Sequence, residues 1–414
     1  MSKQKAIEAI RKKLTGKALS YREIFSVMDE IANQRLGPVL TTYFAAAGFQ
    51  QGFSEDELFF LTKAMVETGD KLKFDGIVAD KHSTGGVAGT RTTMIIVPII
   101  AAAGYKIPKT SSRAITSAAG TGDTMEVLAK VTFNVKQIEH IVAKVGGCIV
   151  WGGHLGIAPA DDIIIQVEEP LAFESFDKVI VSIMAKKIAS GATHLVLDIP
   201  VGPYMKIKRF KDAEIIAVKF GKLAKKFNIK MAADVNQTRQ PAGRGVGPIL
   251  ECQDVFQILE QAKERPYALE AKAIRLAGRL LDLIFEDTGR KESGEEVAKL
   301  MLTSGKALEK MREIIKAQQG DPDVGSITLK RGKYVFEVKS HDKGKAVKIE
   351  NQQTNTLARI LGSPTDHAAG IYLQTRLDEE VAKGDVLFTM YSSDKWRLEE
   401  AKQTLSHMSI YTVE

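Results

Sequence analysis

Apolar and polar positions fall into three textures along the 414 residues of the chain. Over residues 1–72 the apolar positions recur near every 3.6 residues, as in AIEAIRKKL. SYREIFSVMDEIANQRL opens with Ser20 and carries Glu23 three residues on, and SEDELFFLTKAMVETG repeats the device with Ser54 and Glu57. That spacing lets the two side chains satisfy each other's backbone amides at a helix start. The pattern predicts a small all-helical lobe over 1–72, completed by helices around 160–190. From FDGIVAD onward, short apolar runs (GCIVWGG, THLVLDIPVG, IKMAADV) alternate with helical segments and glycine turns. Such alternation predicts an α/β domain over 73–319 with a largely parallel sheet, ending in helices around 269–286 and 294–318. GDPDVGS at 320–326 reads as a linker. Over 328–414, KYVFEVKS, GKAVKIE, AGIYLQTRL and GDVLFTMYS alternate in steps of two, which predicts half-buried strands in a compact α+β domain.

Composition narrows the function. With 44% hydrophobic and 26% charged residues the chain reads as folded and globular. Its longest apolar stretch, MIIVPIIAAAG at 94–104, is too short to span a bilayer, and MSKQKAIEAIRKK contains no apolar signal core. Two cysteines, Cys148 and Cys252, cannot build a disulfide framework or a four-thiolate zinc site, so a cytoplasmic protein is expected. The formal net charge of +7 favours anionic partners. The basic residues are scattered, however, without an arginine-rich arm or an aromatic-interleaved run, and neither nucleic acid nor membrane is expected as a partner.

Candidate chemistry gathers in five segments. DKHSTGGVAGTRTT (80–93) lies between a strand-like FDGIVA and an apolar helix-like run. Its glycines allow close backbone approach, Lys81 brings a cation, and Ser83 and Thr93 bring hydroxyls, so it reads either as a tight turn or as an anion cradle. It matches neither a P-loop nor a dinucleotide fingerprint. KTSSRAITSAAGTGDTMEV (109–127) packs hydroxyls around Arg113, a composition suited to sugar or phosphate oxygens, while Thr121 and Asp123 could cap the helix that follows. In WGGHLGIAPADD (151–162), Asp161 and Asp162 are either a helix-start pair or an acid–base or metal pair. VIVSIMAKKIA sets Ser182 and Lys186 on one helix face, and Lys206 follows the strand of THLVLDIPVGP, where ligands of open α/β sheets bind.

KHSTGG, SSRAITSAAGTGDTMEV, WGG with APADD, SIMAKK and DIPVGP together closely resemble the thymidine/pyrimidine nucleoside phosphorylase family, and SSRAITSAAGT looks most like its AMP phosphorylase branch. The likeness extends over nearly the whole chain. It implies a nucleoside phosphorylase/phosphoribosyltransferase-like catalytic domain and phosphorolysis of an N-glycosidic bond. In the AMP branch, AMP and phosphate would give adenine and ribose 1,5-bisphosphate; the alternative is a thymidine or pyrimidine nucleoside phosphorylase. By the resemblance, Gly86, the run Ser112, Arg113, Ala114, Ile115, Thr116 and Ser117, and Thr121, Ser182, Lys186 and Lys206 match substrate-binding positions. Lys81, Ser83, Thr93 and Thr121 match phosphate-binding ones. Glu174 stands where the branch carries an aspartate proton donor, with Asp177 as an alternative acid. No metal or cofactor is implied beyond the co-substrate phosphate, and a homodimer is expected.

Overall fold

The computed structural model describes residues 3–114, 117–168 and 175–414. The N-terminal lobe is built from α1 (Lys3–Leu14), α2 (Tyr21–Ala32), α3 (Pro38–Gln51) and α4 (Glu55–Glu67). Both serine–glutamate pairs form reciprocal caps at the starts of α2 and α4. Glu57 does double duty: its carboxylate also accepts from Lys13 Nζ at 2.8 Å, a buried ion pair that ties α1 to α4.

The chain then enters β1 (Ala79–Ser83), α5 (Thr92–Ala102), β2 (Ile107–Ser111), α6 (Thr121–Glu126), α7 (Val135–Val145) and β3 (Gly147–Trp151). It returns through α8 (Pro159–Glu168) and α9 (Phe176–Ala189) to β4 (His194–Val201), α10 (Phe210–Lys226) and β5 (Lys230–Gln237). Strands β1, β4 and β5 pair in parallel, as do β2 and β3, and a parallel bridge between Val78 and Lys106 joins the two groups in the order β3-β2-β1-β4-β5. The sheet is thus open and parallel, with the ligand-competent edge at its strand C-termini. Helix α5 is buried from Thr92 to Ala101 and forms the centre of the largest core. Ala160, Ile164, Val181 and Ala185 of α8 and α9 pack into the core of the N-terminal lobe, so that lobe is discontinuous in sequence.

One difference from the sequence expectation matters for the site. The first strand is Ala79–Ser83 rather than FDGIVA, so Asp80, Lys81 and Ser83 sit on the strand, not in the turn after it. A central strand tolerates them because each charge is paired: Asp80 with Lys187 at 2.6 Å and Lys109 at 3.3 Å, and Lys81 with Asp198 at 3.7 Å.

After β6 (Gly245–Val246) come α11 (Pro248–Leu259), α12 (Tyr267–Thr288), α13 (Gly294–Thr303) and α14 (Lys306–Ala317). The C-terminal region comprises β7 (Tyr334–Lys339), β8 (Gly344–Ile349), α15 (Asn351–Ile360), β9 (Gly370–Leu373), β10 (Glu380–Val381), β11 (Val386–Ser392), α16 (Lys395–Thr404) and β12 (Tyr411–Val413). Its strands are antiparallel, and β6 joins them by pairing with β9. Ala88 and Ala118, from the two candidate loops, are buried in the same core as Leu357 and Ile371 of this region.

Candidate active site

The turn after β1 is shaped by glycine. Gly85 and Gly86 adopt φ of 84° and 88°, a left-handed conformation that side-chain-bearing residues rarely take. The Ser83 hydroxyl donates to Asp198 Oδ2 at 3.0 Å and accepts the Gly85 amide at 3.3 Å, while the Ala88 amide goes to Asn351 Oδ1 at 2.8 Å. Among the described residues the amides of Gly86 and Val87 between them carry no hydrogen bond. Two adjacent unspent N–H groups on a left-handed turn form the kind of concavity that binds anions.

The charge behind this turn is buried. Lys81 Nζ donates to Thr92 Oγ1 at 3.1 Å, at the first turn of α5, with Thr93 next to it. Asp198, within β4, is shared between Lys81 and Lys272, the latter at 3.1 Å. Two cations against one carboxylate leave a local positive surplus. Burial pulls the Lys81 ammonium down to about 8, with Lys272 and Arg91 acting in the same direction and Asp198 opposing. Burial also holds the His82 imidazole well below its ordinary value, reinforced by Lys187, Lys109, Lys81 and Lys186, so it is neutral at pH 7.

Arg91 links the first loop to the second. Its guanidinium is paired with buried Glu251, donates to Thr121 Oγ1 at 3.2 Å and to the Ala119 carbonyl at 2.6 Å. In the second loop, Asp123 Oδ2 accepts the amides of Ala114 at 2.7 Å and Gly120 at 2.8 Å, and the Ser112 carbonyl accepts the Gly122 amide at 3.1 Å. The loop is therefore tied to the start of α6 by the Asp123 carboxylate and one backbone bond. Arg113 faces its own helix: it forms a fork on Glu126 at 2.5 and 2.6 Å, reaches Asp123 at 3.1 Å and stacks over Trp151. Ser117 donates to Ala119 O at 2.9 Å. Lys206 lies beside the turn, its Cγ 3.4 Å from where a Cβ on Gly86 would stand. Ile115, Thr116 and Glu174 lie outside the described residues.

The other wall of candidate residues is formed by α8 and α9. Buried Asp161 accepts from Ser182 Oγ at 2.7 Å and from Lys186 Nζ at 2.8 Å through the same oxygen, Oδ2. Among the described residues its Oδ1 has no hydrogen-bond partner. Asp162 is raised to about 6 by burial, with Asp161 adding and Lys186 opposing. Asp177, the alternative acid, is instead engaged with Lys219 at 2.6 Å. Lys187, adjacent to Lys186, reaches Asp80 on β1, so α9 joins this wall directly to the strand that carries Lys81. Sequence reasoning missed Asp198, Arg91, Lys272 and the pairing role of Asp161. The visible signal for the first was a lone aspartate inside the apolar run LVLDI.

Helical lobe, parallel sheet and a site at the strand C-termini define a phosphoribosyltransferase-like fold. The chain superposes on the anthranilate phosphoribosyltransferase of Thermus thermophilus with a TM-score of 0.62 at 16% identity, covering 75% of this chain and 99% of that one. Residues 7–69 match the helical bundle domain of the glycosyl transferase family, 75–308 its a/b domain, and 346–412 the pyrimidine nucleoside phosphorylase C-terminal domain. The protein is an enzyme belonging to this glycosyl transferase family. It is 41% identical over 400 residues to AMP phosphorylase 1 of Archaeoglobus fulgidus (96% of this chain, 78% of that one). It is 43% identical over 401 residues to the AMP phosphorylase of Thermofilum pendens (97% and 77%). It is also 40% identical over 409 residues to a Methylococcus capsulatus protein provisionally named thymidine phosphorylase (99% and 78%).

Proposed function

We propose that the protein catalyses phosphorolysis of a nucleoside 5′-monophosphate: AMP and phosphate give adenine and ribose 1,5-bisphosphate. The observation that carries the phosphate half of this reading is the pair of unspent amides at Gly86 and Val87 beside the buried Lys81 ammonium. The names of relatives that share about two residues in five over nearly the full chain favour AMP as the nucleotide.

In this reaction a phosphate oxygen forms a bond to C1′ of the ribose as the C1′–N bond breaks, and the departing base takes up a proton. Positive charge grows on the ribose as the bond loosens, and a phosphate dianion fixed against that carbon both stabilises the charge and attacks. Lys81, Ser83, Thr93, Thr121 and the Gly86 turn hold the phosphate; Ser182 and Lys186, oriented by Asp161, meet the base; Glu174 delivers the proton. No metal or cofactor is required in this scheme, since lysine and amide donors carry the compensating charge. The same reading takes the enzyme to be a cytoplasmic homodimer, and among the described residues no helix is long and apolar enough to cross a membrane.

A second reading, phosphorolysis of free thymidine or uridine, is favoured by one observation. Arg113, a candidate partner for a substrate 5′-phosphate, already has its charge balanced by Glu126 and Asp123. A panel of AMP, CMP, UMP, adenosine, thymidine and uridine, each with phosphate and assayed for free base, separates the two. Adenine release from AMP in the presence of EDTA is expected. Base release from thymidine with none from any monophosphate would overturn the AMP assignment.

A further inference from the structure

The backs of the two candidate loops are held by a helix from another part of the molecule. Asn351, the first residue of α15, is buried, and its amide is fully engaged with backbone groups. Oδ1 accepts the Ala88 amide at 2.8 Å; Nδ2 donates to the Gly86 carbonyl and reaches the Tyr204 carbonyl at 3.4 Å. Four residues on, on the same helix face, buried Asn355 accepts the Ala118 amide through Oδ1 at 3.0 Å and donates to the Asn351 carbonyl at 3.2 Å. The partners come from three loops: Gly86 and Ala88 from the glycine turn, Ala118 from the hydroxyl-rich loop, and Tyr204 from the β4–α10 loop that carries Lys206 two residues later.

Consuming the Gly86 carbonyl and the Ala88 amide has a consequence for the turn. Asn351 takes the acceptor of Gly86 and the donor of Ala88, and Ser83 takes the donor of Gly85. The amides of Gly86 and Val87 remain, and the peptide between Gly86 and Val87 is pinned by its carbonyl. A left-handed Gly-Gly turn has many accessible conformations, so a ligand that needs two amides aimed together gains affinity when they are fixed in advance. Asparagine suits the task because one side chain supplies both an acceptor and a donor.

We infer that Asn351 and Asn355 are positioning residues for phosphate, and that the C-terminal domain is thereby part of the anion site although neither side chain touches the ion. This rests on the reading that the glycine turn holds phosphate. The test measures KM for phosphate, KM for AMP, kcat and Tm in wild type, Asn351→Leu, Asn351→Asp, Asn355→Leu and, as a control on the exposed face of α15, Thr356→Ala. Asn351→Leu is expected to raise KM for phosphate about tenfold or more while KM for AMP changes by less than about threefold, since losing hydrogen bonds to a turn of this kind costs on the order of one tenfold step. Asn351→Asp keeps the acceptor for Ala88, loses the donor, and should shift phosphate the same way; Asn355→Leu should shift it less, and Thr356→Ala not at all. If Asn351→Leu does not fold, the Asp variant and Asn355→Leu decide the matter. Folded variants with wild-type KM for phosphate, or with both KM values raised equally alongside a lowered Tm, overturn the inference and leave the phosphate reading intact. A wild-type enzyme whose base release does not depend on phosphate overturns both.

Discussion

The two walls of candidate residues solve different problems with different materials. The wall after β1 is made of backbone: a left-handed glycine turn, the first turn of α5, and a lysine that stays behind them and is 3% exposed. The α8–α9 wall is made of side chains: Ser182 and Lys186 both converge on one oxygen of Asp161. On the first wall cations outnumber carboxylates around Lys81, whereas on the second Lys186 meets two aspartates, at 2.8 and 3.9 Å. An anionic co-substrate is best held by a rigid surface with surplus positive charge, because fixed dipoles need no reorganisation when it binds. A nucleobase is neutral and planar, and a pair of donors backed by carboxylates recognises its edges without attracting phosphate. The contrast predicts that substitutions on each wall affect different substrates.

The strongest test of this division is Lys81→Met. Removing the buried cation should lower kcat/KM for phosphate by about 10³-fold, within the range for loss of a preorganised charge at a reacting site. KM for the nucleotide should change little. Steady-state kinetics with phosphate and nucleotide varied in turn read both, and phosphate kinetics near wild type would remove Lys81 from the anion site.

Asp161→Asn probes the opposite wall and should have a smaller effect. It removes the charge that Lys186 meets at 2.8 Å while leaving Asp162, and an amide oxygen can still accept from Ser182. KM for the nucleotide is expected to rise about tenfold with KM for phosphate unchanged. Loss of stability should stay below the ~3–5 kcal/mol of fully buried pairs, because Lys186 is partly exposed. Equal rises in both KM values would mean that the walls do not work separately.

The walls also differed in how far the sequence revealed them. Glycines, clustered hydroxyls and serine–glutamate caps act through neighbours in the chain, so KHSTGG, SSRAITSAAGT and the starts of α2 and α4 were readable locally, and the fold class followed from the spacing of strands and helices. Buried charge was not. Lys81 was singled out, but its balance with Asp198 and Lys272 depends on contacts between strands and helices far apart in the chain, and those contacts moved Asp80–Ser83 from a predicted loop onto β1. Asn351 was invisible for the same reason: it reaches Ala88 across 263 positions, and nothing around IENQQTNTLARI marks an amide that will close on a distant turn. Arg113 illustrates the converse, a cation placed by its loop in an attractive position and then taken up by Glu126, thirteen residues along.

The finest distinction between the walls is their response to pH. Lys81 is charged below about 8 and neutral above it, because burial penalises the ammonium more than Asp198 supports it. The dependence of kcat/KM for phosphate on pH reports the free enzyme. Once the conversion of phosphate itself to the dianion is divided out, it should therefore hold level below that value and fall as pH rises through it, by at most about tenfold per unit. The sign is fixed by the lysine: deprotonation removes the charge that attracts the anion. Lys81→Arg should abolish this limb, since a guanidinium remains charged throughout, although its planar fork will fit the cradle less well and lower the plateau. The same profile measured for the nucleotide should lack the inflection, because the α8–α9 wall does not contain Lys81. If both profiles bend together near pH 8 and the arginine variant bends with them, the titrating group is not Lys81, and the two walls share a group that the contrast between them assigns to neither.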